Sequence, residues 1–206
     1  MKKIKLAITL IIMFLAFNCV VTTLMYYEII ATDLGPIHRY ATNFNIRTIL
    51  VLVSSVVLQL FLADCIKKKK EYCNVLAQTV LIFLCIFTID TCGNFFGWYS
   101  VGLSYSVIWY DNMAHVVIPF LMVLCAYNLL HYQYKTVSKN LLILLASCIS
   151  MSIGAVWEFF EYYSDLYLNT YMVGGLEDVE TDLLYNSIGA IGGYLMLMFV
   201  TRKGKR

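Results

Sequence analysis

Charged residues are scarce in this chain, at 14% of its 206 positions, and no polar block of domain length separates its apolar runs. Linkers rich in proline, glycine or serine are also lacking, and only two prolines are present. Instead, 61% of the residues are hydrophobic, and the mean hydropathy is +0.74. This composition excludes an ordinary soluble protein and argues against a nucleic-acid partner. It predicts one polytopic membrane domain over residues 1–206.

Apolar runs of about twenty residues recur along the whole chain, which is the length that a membrane-spanning helix requires. They predict an all-α protein with about six transmembrane helices, near residues 5–30, 47–66, 74–96, 106–131, 141–166 and 181–201. The basic start Met1-Lys2-Lys3 is similar to that of a signal peptide, but the apolar run after it is too long and no A-x-A site ends it. We therefore expect the first span to be retained.

The cysteines show no pattern of a disulfide framework or of a thiolate metal site. They number seven, and none forms a C-x-x-C pair. An odd and dispersed set of this kind favours small apolar packing residues inside or beside the helices.

Basic residues are confined almost entirely to one side of the predicted spans. Of the 15 lysines and arginines, only Arg39 and Arg47 fall on the other side. The positive-inside rule then predicts that both termini are cytoplasmic. Of the 13 acidic residues, all but Asp64 and Glu71 fall at or beyond the outer half of the membrane. The two signs of charge are therefore expected at opposite membrane faces.

Seven carboxylates lie between Trp157 and Gly193, in a region that otherwise has the composition of membrane-spanning helices. A charged group at membrane depth costs roughly 2.5–3.5 kcal/mol on insertion scales, so it normally marks a functional position. For at least one of Asp178 and Glu180, a solvated acidic loop before the last span is the simpler interpretation.

Two short motifs place polar groups on shared helix faces. Asp111 and His115 are four residues apart at the start of the fourth span, so their side chains should lie on one face. Glu158 and Glu161, three residues apart near the end of the fifth span, should do the same. An alternative for Asp111 and His115 is that they only cap and orient a buried helix end.

The sixth span carries a polar stripe that continues into a glycine stripe. At 100° per residue its members fall on one side of the helix, and the glycines allow another backbone to approach closely. The stripe consists of Asp182, Asn186, Gly189 and Gly193. We expect it to face the interior of the helix bundle.

Polar residues from four predicted spans should share the outer third of the membrane. They are Asp90, Asp111, His115, Glu158, Glu161, Asp178, Asp182 and Asn186. Several like charges cannot share a partly desolvated site without protons or a cation. We therefore predict one cation site, with Asp90, Asp178 and Asn186 as accessory residues and these metal ligands: Asp111, His115, Glu158, Glu161 and Asp182. Oxygen ligands with one imidazole suit a divalent ion such as Mg, Mn, Ca or Zn, and bound protons are the alternative.

At these residues the sequence resembles a known family. Its segments Tyr110-Asp111-x-x-x-His115, Trp157-Glu158-x-x-Glu161 and Asp178-x-x-x-Asp182, followed by Asn186-x-x-Gly189-Ala190, resemble the pattern of the YjdF-type uncharacterised bacterial inner-membrane proteins. The order of motifs is also distantly similar to that of the VanZ-like proteins, which are linked to glycopeptide (teicoplanin) resistance.

The resemblance covers roughly residues 85–195 and departs from the pattern at two positions. Val179 stands where a threonine is expected, and Glu161 stands where VanZ-like chains tend to carry glutamine. The resemblance implies a bacterial cytoplasmic membrane and the cell envelope, and it implies no established reaction.

Three functions fit these observations. The first is a metal-dependent enzyme acting on a lipid-linked or phosphorylated envelope substrate, with His115, Asp111 and Glu158 as catalytic residues. The second is a proton- or cation-coupled transporter or flippase, although no inverted repeat or pair of broken helices supports it. The third is a non-catalytic resistance or immunity-type membrane protein whose acids bind a cationic partner. The lipid bilayer is the one partner common to all three, and the sequence leaves the substrate and the oligomeric state open.

Overall fold

The computed structural model describes Val20 and residues 70–95, 98, 99, 109–168 and 172–203. Four α-helices and no strand occur in these residues: α1 (Lys70–Phe95), α2 (Tyr110–Gln133), α3 (Lys139–Leu168) and α4 (Leu176–Lys203). They occupy the positions of the third to sixth predicted spans, so the all-α class is confirmed for this part of the chain. The first two predicted spans, near residues 5–30 and 47–66, lie outside the described residues.

Three of the helices are long and apolar enough to cross a membrane. They are Tyr110–Gln133, Lys139–Leu168 and Leu176–Arg202, while the apolar part of α1 is the shorter segment Leu81–Asp90. These helices agree with a membrane protein, whereas the count of six spans and the cytoplasmic termini stay predictions.

The chain divides into two compact units, Met1–Val80 and Leu81–Arg206. The first unit is described only at Val20 and at residues 70–80. The second unit contains the rest of α1 and the whole of α2, α3 and α4, and it holds every contact discussed below.

Glycines set the distance between α2 and α4. A Cβ atom added to Gly189 would overlap the carbonyl oxygen of Val116, and one added to Gly193 would lie 2.8 Å from Cβ of Val123. Since the contacts advance in the same direction on both helices, α2 and α4 run parallel. The close approach confirms the prediction that this stripe faces the bundle interior.

An apolar core fills one end of the three helices. Its members come from α2, α3 and α4, and α3 runs antiparallel to the other two helices. The core consists of Val123, Tyr127, Leu142, Ile143, Ala146, Ala190 and Leu197. Next to it, the Ser150 hydroxyl donates a hydrogen bond to the carbonyl oxygen of Pro119 at 2.8 Å, which connects α3 to the middle of α2.

The connection between α3 and α4 is held by two carboxylates. Asp165 accepts hydrogen bonds from the backbone N–H groups of Met172 and Val173, at 2.7 and 2.9 Å. Asp178 accepts one from the N–H of Gly174 at 2.8 Å. An acidic side chain at this position favours a helix N-terminus.

The last helix therefore begins at Leu176, several residues before the predicted start near 181. Asp178 and Glu180 lie inside α4, so the prediction of a loop at these residues was wrong, although Glu180 is exposed to solvent. The local cause is the hydrogen bond between Asp178 and Gly174, which starts the helix earlier than the apolar run begins.

Candidate cation site

His115 lies at the centre of a polar cluster formed by α2, α3 and α4. Its ring nitrogen Nε2 is 3.4 Å from Oδ1 of Asp111 and 3.7 Å from Oδ1 of Asp182. Its other nitrogen, Nδ1, is 3.2 Å from Oδ1 of Asn186 and 3.7 Å from Oε1 of Glu158. One imidazole thus contacts side chains from all three helices. We call these five residues the polar cluster.

Helix spacing and close backbone packing bring the polar cluster together. Asp111 and His115 share a face of α2, as predicted, and Asp182 and Asn186 share a face of α4 one turn before Gly189. The contact between Gly189 and Val116 sets these two faces at the same level.

On α3, a glycine provides the space that the cluster needs. A Cβ atom on Gly154 would lie 3.0 Å from Cγ and Nδ2 of Asn186, so the absence of a side chain at this position accommodates the amide. Glu158 follows one turn later on α3 and is buried. The glycine therefore places the amide of Asn186 between His115 and Glu158.

Three residues of the cluster form a group that can hold a metal ion. Asp111, His115 and Asp182 each offer one ligand atom, and these atoms lie within 4.8 Å of one another. Asp182 is only 2% exposed, and its Oδ1 has no hydrogen-bond partner among the described residues. The Asp111 side chain is 33% exposed, so the group opens to the surroundings on the Asp111 side.

The electrostatics of this group favour a bound cation or a bound proton. A neutral imidazole that donates from Nδ1 directs the lone pair of Nε2 toward the carboxylates of Asp111 and Asp182. Three acceptor groups then face one another in a place that is largely removed from water. Such an arrangement is costly unless a cation lies between them or a proton is held by His115 or by one of the carboxyl groups.

The remaining predicted site residues lie outside this group of ligand atoms. Glu161 is buried, and its Oε1 accepts a hydrogen bond from the indole N–H of Trp157 at 2.8 Å. Asp178 stabilises the start of α4, and Asp90 lies near the end of α1. Glu158 contacts His115 only from the Nδ1 side. Glu158 and Glu161, which were predicted to act together as ligands, therefore contact different residues: Glu158 lies beside His115, and Glu161 lies beside Trp157.

Two contacts near the cluster have no signal in the sequence motifs. Gly154 interrupts no helix and belongs to no glycine stripe, although it makes room for Asn186. The hydroxyl of Tyr110 donates a hydrogen bond to the carbonyl oxygen of Ile89 at 2.6 Å and so links α2 to α1. The i,i+4 spacing of Trp157 and Glu161, in contrast, could have predicted their hydrogen bond.

Comparison with known proteins gives one family. The model of a family described as "Predicted membrane protein (DUF2238)" matches residues 6–203, which is nearly the whole chain. No curated protein and no solved structure matches. A similarity to the VanZ-like proteins is not shown by these findings and stays a prediction.

Proposed function

The chain belongs to the DUF2238 family of predicted membrane proteins, and on this premise we propose that it binds a divalent cation through Asp111, His115 and Asp182. The observation that carries the proposal is the Oδ1 atom of Asp182. It is buried, has no hydrogen-bond partner among the residues described, and lies 3.7 Å from Nε2 of His115. A buried carboxylate oxygen without a donor is destabilising, and a metal ion would supply the missing positive partner.

The spacing of the ligand atoms suits a small borderline ion. Ligands held about 2.0–2.1 Å from Zn²⁺ at tetrahedral angles lie about 3.3 Å apart. The distances from Nε2 of His115 to Asp111 and Asp182 are 3.4 and 3.7 Å. The imidazole favours Zn²⁺, and its combination with two carboxylates also suits Mn²⁺, whereas Mg²⁺ and Ca²⁺ prefer sites made of oxygen ligands alone. We therefore infer Zn²⁺ or Mn²⁺ as the bound ion.

Catalysis is the function that this ligand set supports best. Three protein ligands leave a coordination position open for water or substrate, as in catalytic zinc sites. The Asp111 side chain is 33% exposed, so a substrate could reach the ligand group from that side. A bound ion would polarise a scissile group and activate water there. We propose a hydrolytic or transfer reaction on a lipid-linked or phosphorylated envelope substrate.

The orientation in the membrane supports an outer-leaflet substrate. The basic residues Lys135, Lys139 and Arg202 lie at the end of α2, α3 and α4 opposite the polar cluster. If the positive-inside rule holds, that end is cytoplasmic and the cluster lies near the outer surface. This proposal agrees with the envelope context that the YjdF-type resemblance implies.

Metal-dependent thermal stability tests the proposal. The purified protein is treated with chelator and then titrated with Zn²⁺, Mn²⁺, Mg²⁺ or Ca²⁺ while its Tm and metal content are measured. Zn²⁺ or Mn²⁺ should stabilise the protein by about 2.7 kcal/mol at a concentration of 100 times Kd, and chelator should reverse this gain. His115→Ala and Asp182→Asn should abolish the response. Glu177→Gln, which changes an exposed carboxylate in the first turn of α4, should leave it intact.

Two results would overturn the metal assignment. A Tm that follows pH and ignores both metal and chelator would mean that protons supply the positive charge. The absence of any response to metal or pH, with His115→Ala behaving as wild type, would mean that the acids only form a solvated rim.

A further inference from the structure

Resting on the cation site proposed above, we propose that Glu158 is a positioning residue rather than a metal ligand, and that it acts on His115 through Asn186. Sequence spacing alone grouped Glu158 with the ligands. The contacts of the imidazole separate it from them, because Asp111 and Asp182 lie at Nε2 while Glu158 and Asn186 lie at Nδ1.

Two hydrogen bonds connect Glu158 to the imidazole. Nδ1 of His115 lies 3.2 Å from the carbonyl oxygen of the Asn186 side chain, and only a protonated ring nitrogen can donate to that acceptor. The Nδ2 amide of Asn186 in turn donates to Oε1 of Glu158 at 3.5 Å. Glu158 therefore orients the amide, and the amide orients the ring.

The consequence is a defined tautomer of His115. With the hydrogen on Nδ1, the lone pair of Nε2 is available on the side of Asp111 and Asp182. Histidine ligands of metals usually donate their second ring N–H to a carboxylate or carbonyl in this way. An ion on the Nε2 lone pair lies on the opposite edge of the ring from Glu158. The Oε1 atom of Glu158 could reach such an ion only if the imidazole of His115 rotated away from Asn186.

Burial makes this hydrogen-bond chain sensitive to substitution. Glu158 and Asn186 are both buried, so the loss of one partner leaves the other without a hydrogen bond in a largely dry environment. Gly154 packs directly against the amide of Asn186. A methyl group at this position would displace the amide without touching any proposed ligand.

The test compares Zn²⁺ affinities, measured by competition with a chelating dye, across a set of variants. Asn186→Ala and Gly154→Ala should weaken binding by about 10–100-fold, the usual effect of removing an outer hydrogen-bond partner. Glu158→Gln keeps an acceptor for Asn186 and should weaken binding by less than about 10-fold. Asp182→Asn removes a ligand and should cost more than any of these. Gly192→Ala is the matched control, since its Cβ would meet only Cδ2 of Phe120 at an ordinary 3.6 Å.

A reciprocal exchange separates positioning from packing. Asn186→Asp alone sets two carboxylates side by side and removes the donor to Glu158. Combined with Glu158→Gln, it restores a donor opposite an acceptor and keeps the total charge. The double variant should recover most of the affinity that Asn186→Asp loses, which a packing role would not produce. An effect of Glu158→Gln as large as that of Asp182→Asn would overturn the proposal and make Glu158 a ligand.

Nitrogen NMR of the metal-free protein, recorded at an alkaline pH where the imidazole is neutral, tests the tautomer independently of metal binding. The signal of His115 is assigned by its loss in His115→Ala. It should show a protonated Nδ1 in wild type and a changed tautomer balance in Asn186→Ala. If wild type binds no metal but shows this difference, the cation site fails while the positioning of His115 stands. If the tautomer balance is the same in both proteins, the positioning role fails.

Discussion

The helices α2, α3 and α4 enclose an apolar core at one end and the polar cluster at the other. In the apolar core, Val123, Ile143 and Ala146 are fully buried and contact other apolar side chains. In the polar cluster, Asp182 is almost as completely buried, yet one of its carboxylate oxygens has no hydrogen-bond partner within the described residues. Burial of Asp182 is thus similar to that of the core residues, and its energetic effect is opposite.

The difference indicates which end is maintained for stability and which for function. In a membrane, lipid tails are as apolar as leucine, so the apolar core stabilises the helices mainly through close packing. The polar cluster gains little from burial and bears the cost of desolvating several ionisable groups. An ionisable cluster kept at the meeting point of three such helices normally marks a functional position.

The orientation of the two ends gives the largest expected signal, because a topology reporter is either active or inactive. Fusions after residues 70 and 135 should read as cytoplasmic, and fusions near residues 40, 100 and 172 as extracytoplasmic, since nearly all basic residues lie on one side. A phosphatase and a fluorescent reporter with opposite preferences control for expression. A cytoplasmic reading at 172 would put the polar cluster on the inner face and overturn the outer-leaflet assignment.

The boundary between the two ends can be disturbed at Gly189. Gly189→Ala should lower the free energy of unfolding by about 1–3 kcal/mol, because the added methyl group overlaps the carbonyl of Val116 and forces α4 away from α2. Reversible unfolding in mixed micelles measures this change. Gly192→Ala gives the same gain in helix propensity without the overlap, so it should leave the free energy of unfolding unchanged or raise it by up to about 1 kcal/mol. Equal effects of the two substitutions would show that the close approach at Gly189 does not hold α4 against α2.

The smallest expected change in the free energy of unfolding compares a substitution in the polar cluster directly with one in the apolar core. In metal-free protein, Asp182→Asn should leave the free energy of unfolding unchanged or raise it by up to about 1 kcal/mol, because it removes a buried charge without changing the volume. Leu142→Ala in the apolar core should instead lower it by about 2 kcal/mol or more, through the cavity that it leaves. The same unfolding assay measures both. If Asp182→Asn is as damaging as Leu142→Ala, Asp182 belongs to the structural framework.

Much of the fold and part of the site follow from local patterns. The apolar runs predict α2, α3 and α4, since the length and composition of a spanning helix are properties of one continuous segment. The pairing of Asp111 with His115 likewise follows from the helical repeat alone. The residues at which helices begin and end are harder to predict from these patterns. A single hydrogen bond, such as that between Asp178 and Gly174, can start a helix before its apolar run begins.

For the part of the chain that the structure describes, the sequence by itself determined where the four helices lie and which polar residues share a face of a helix. The tertiary structure decided which of these faces contact one another. As a result, Asp182 lies at Nε2 of His115 and Glu158 lies at Nδ1, while Glu161 accepts a hydrogen bond from Trp157. The physical reason is that the rotation and level of one helix against another depend on contacts between distant residues. Here those contacts are Gly189 with Val116 and Gly154 with Asn186, and no periodicity within a single segment encodes them.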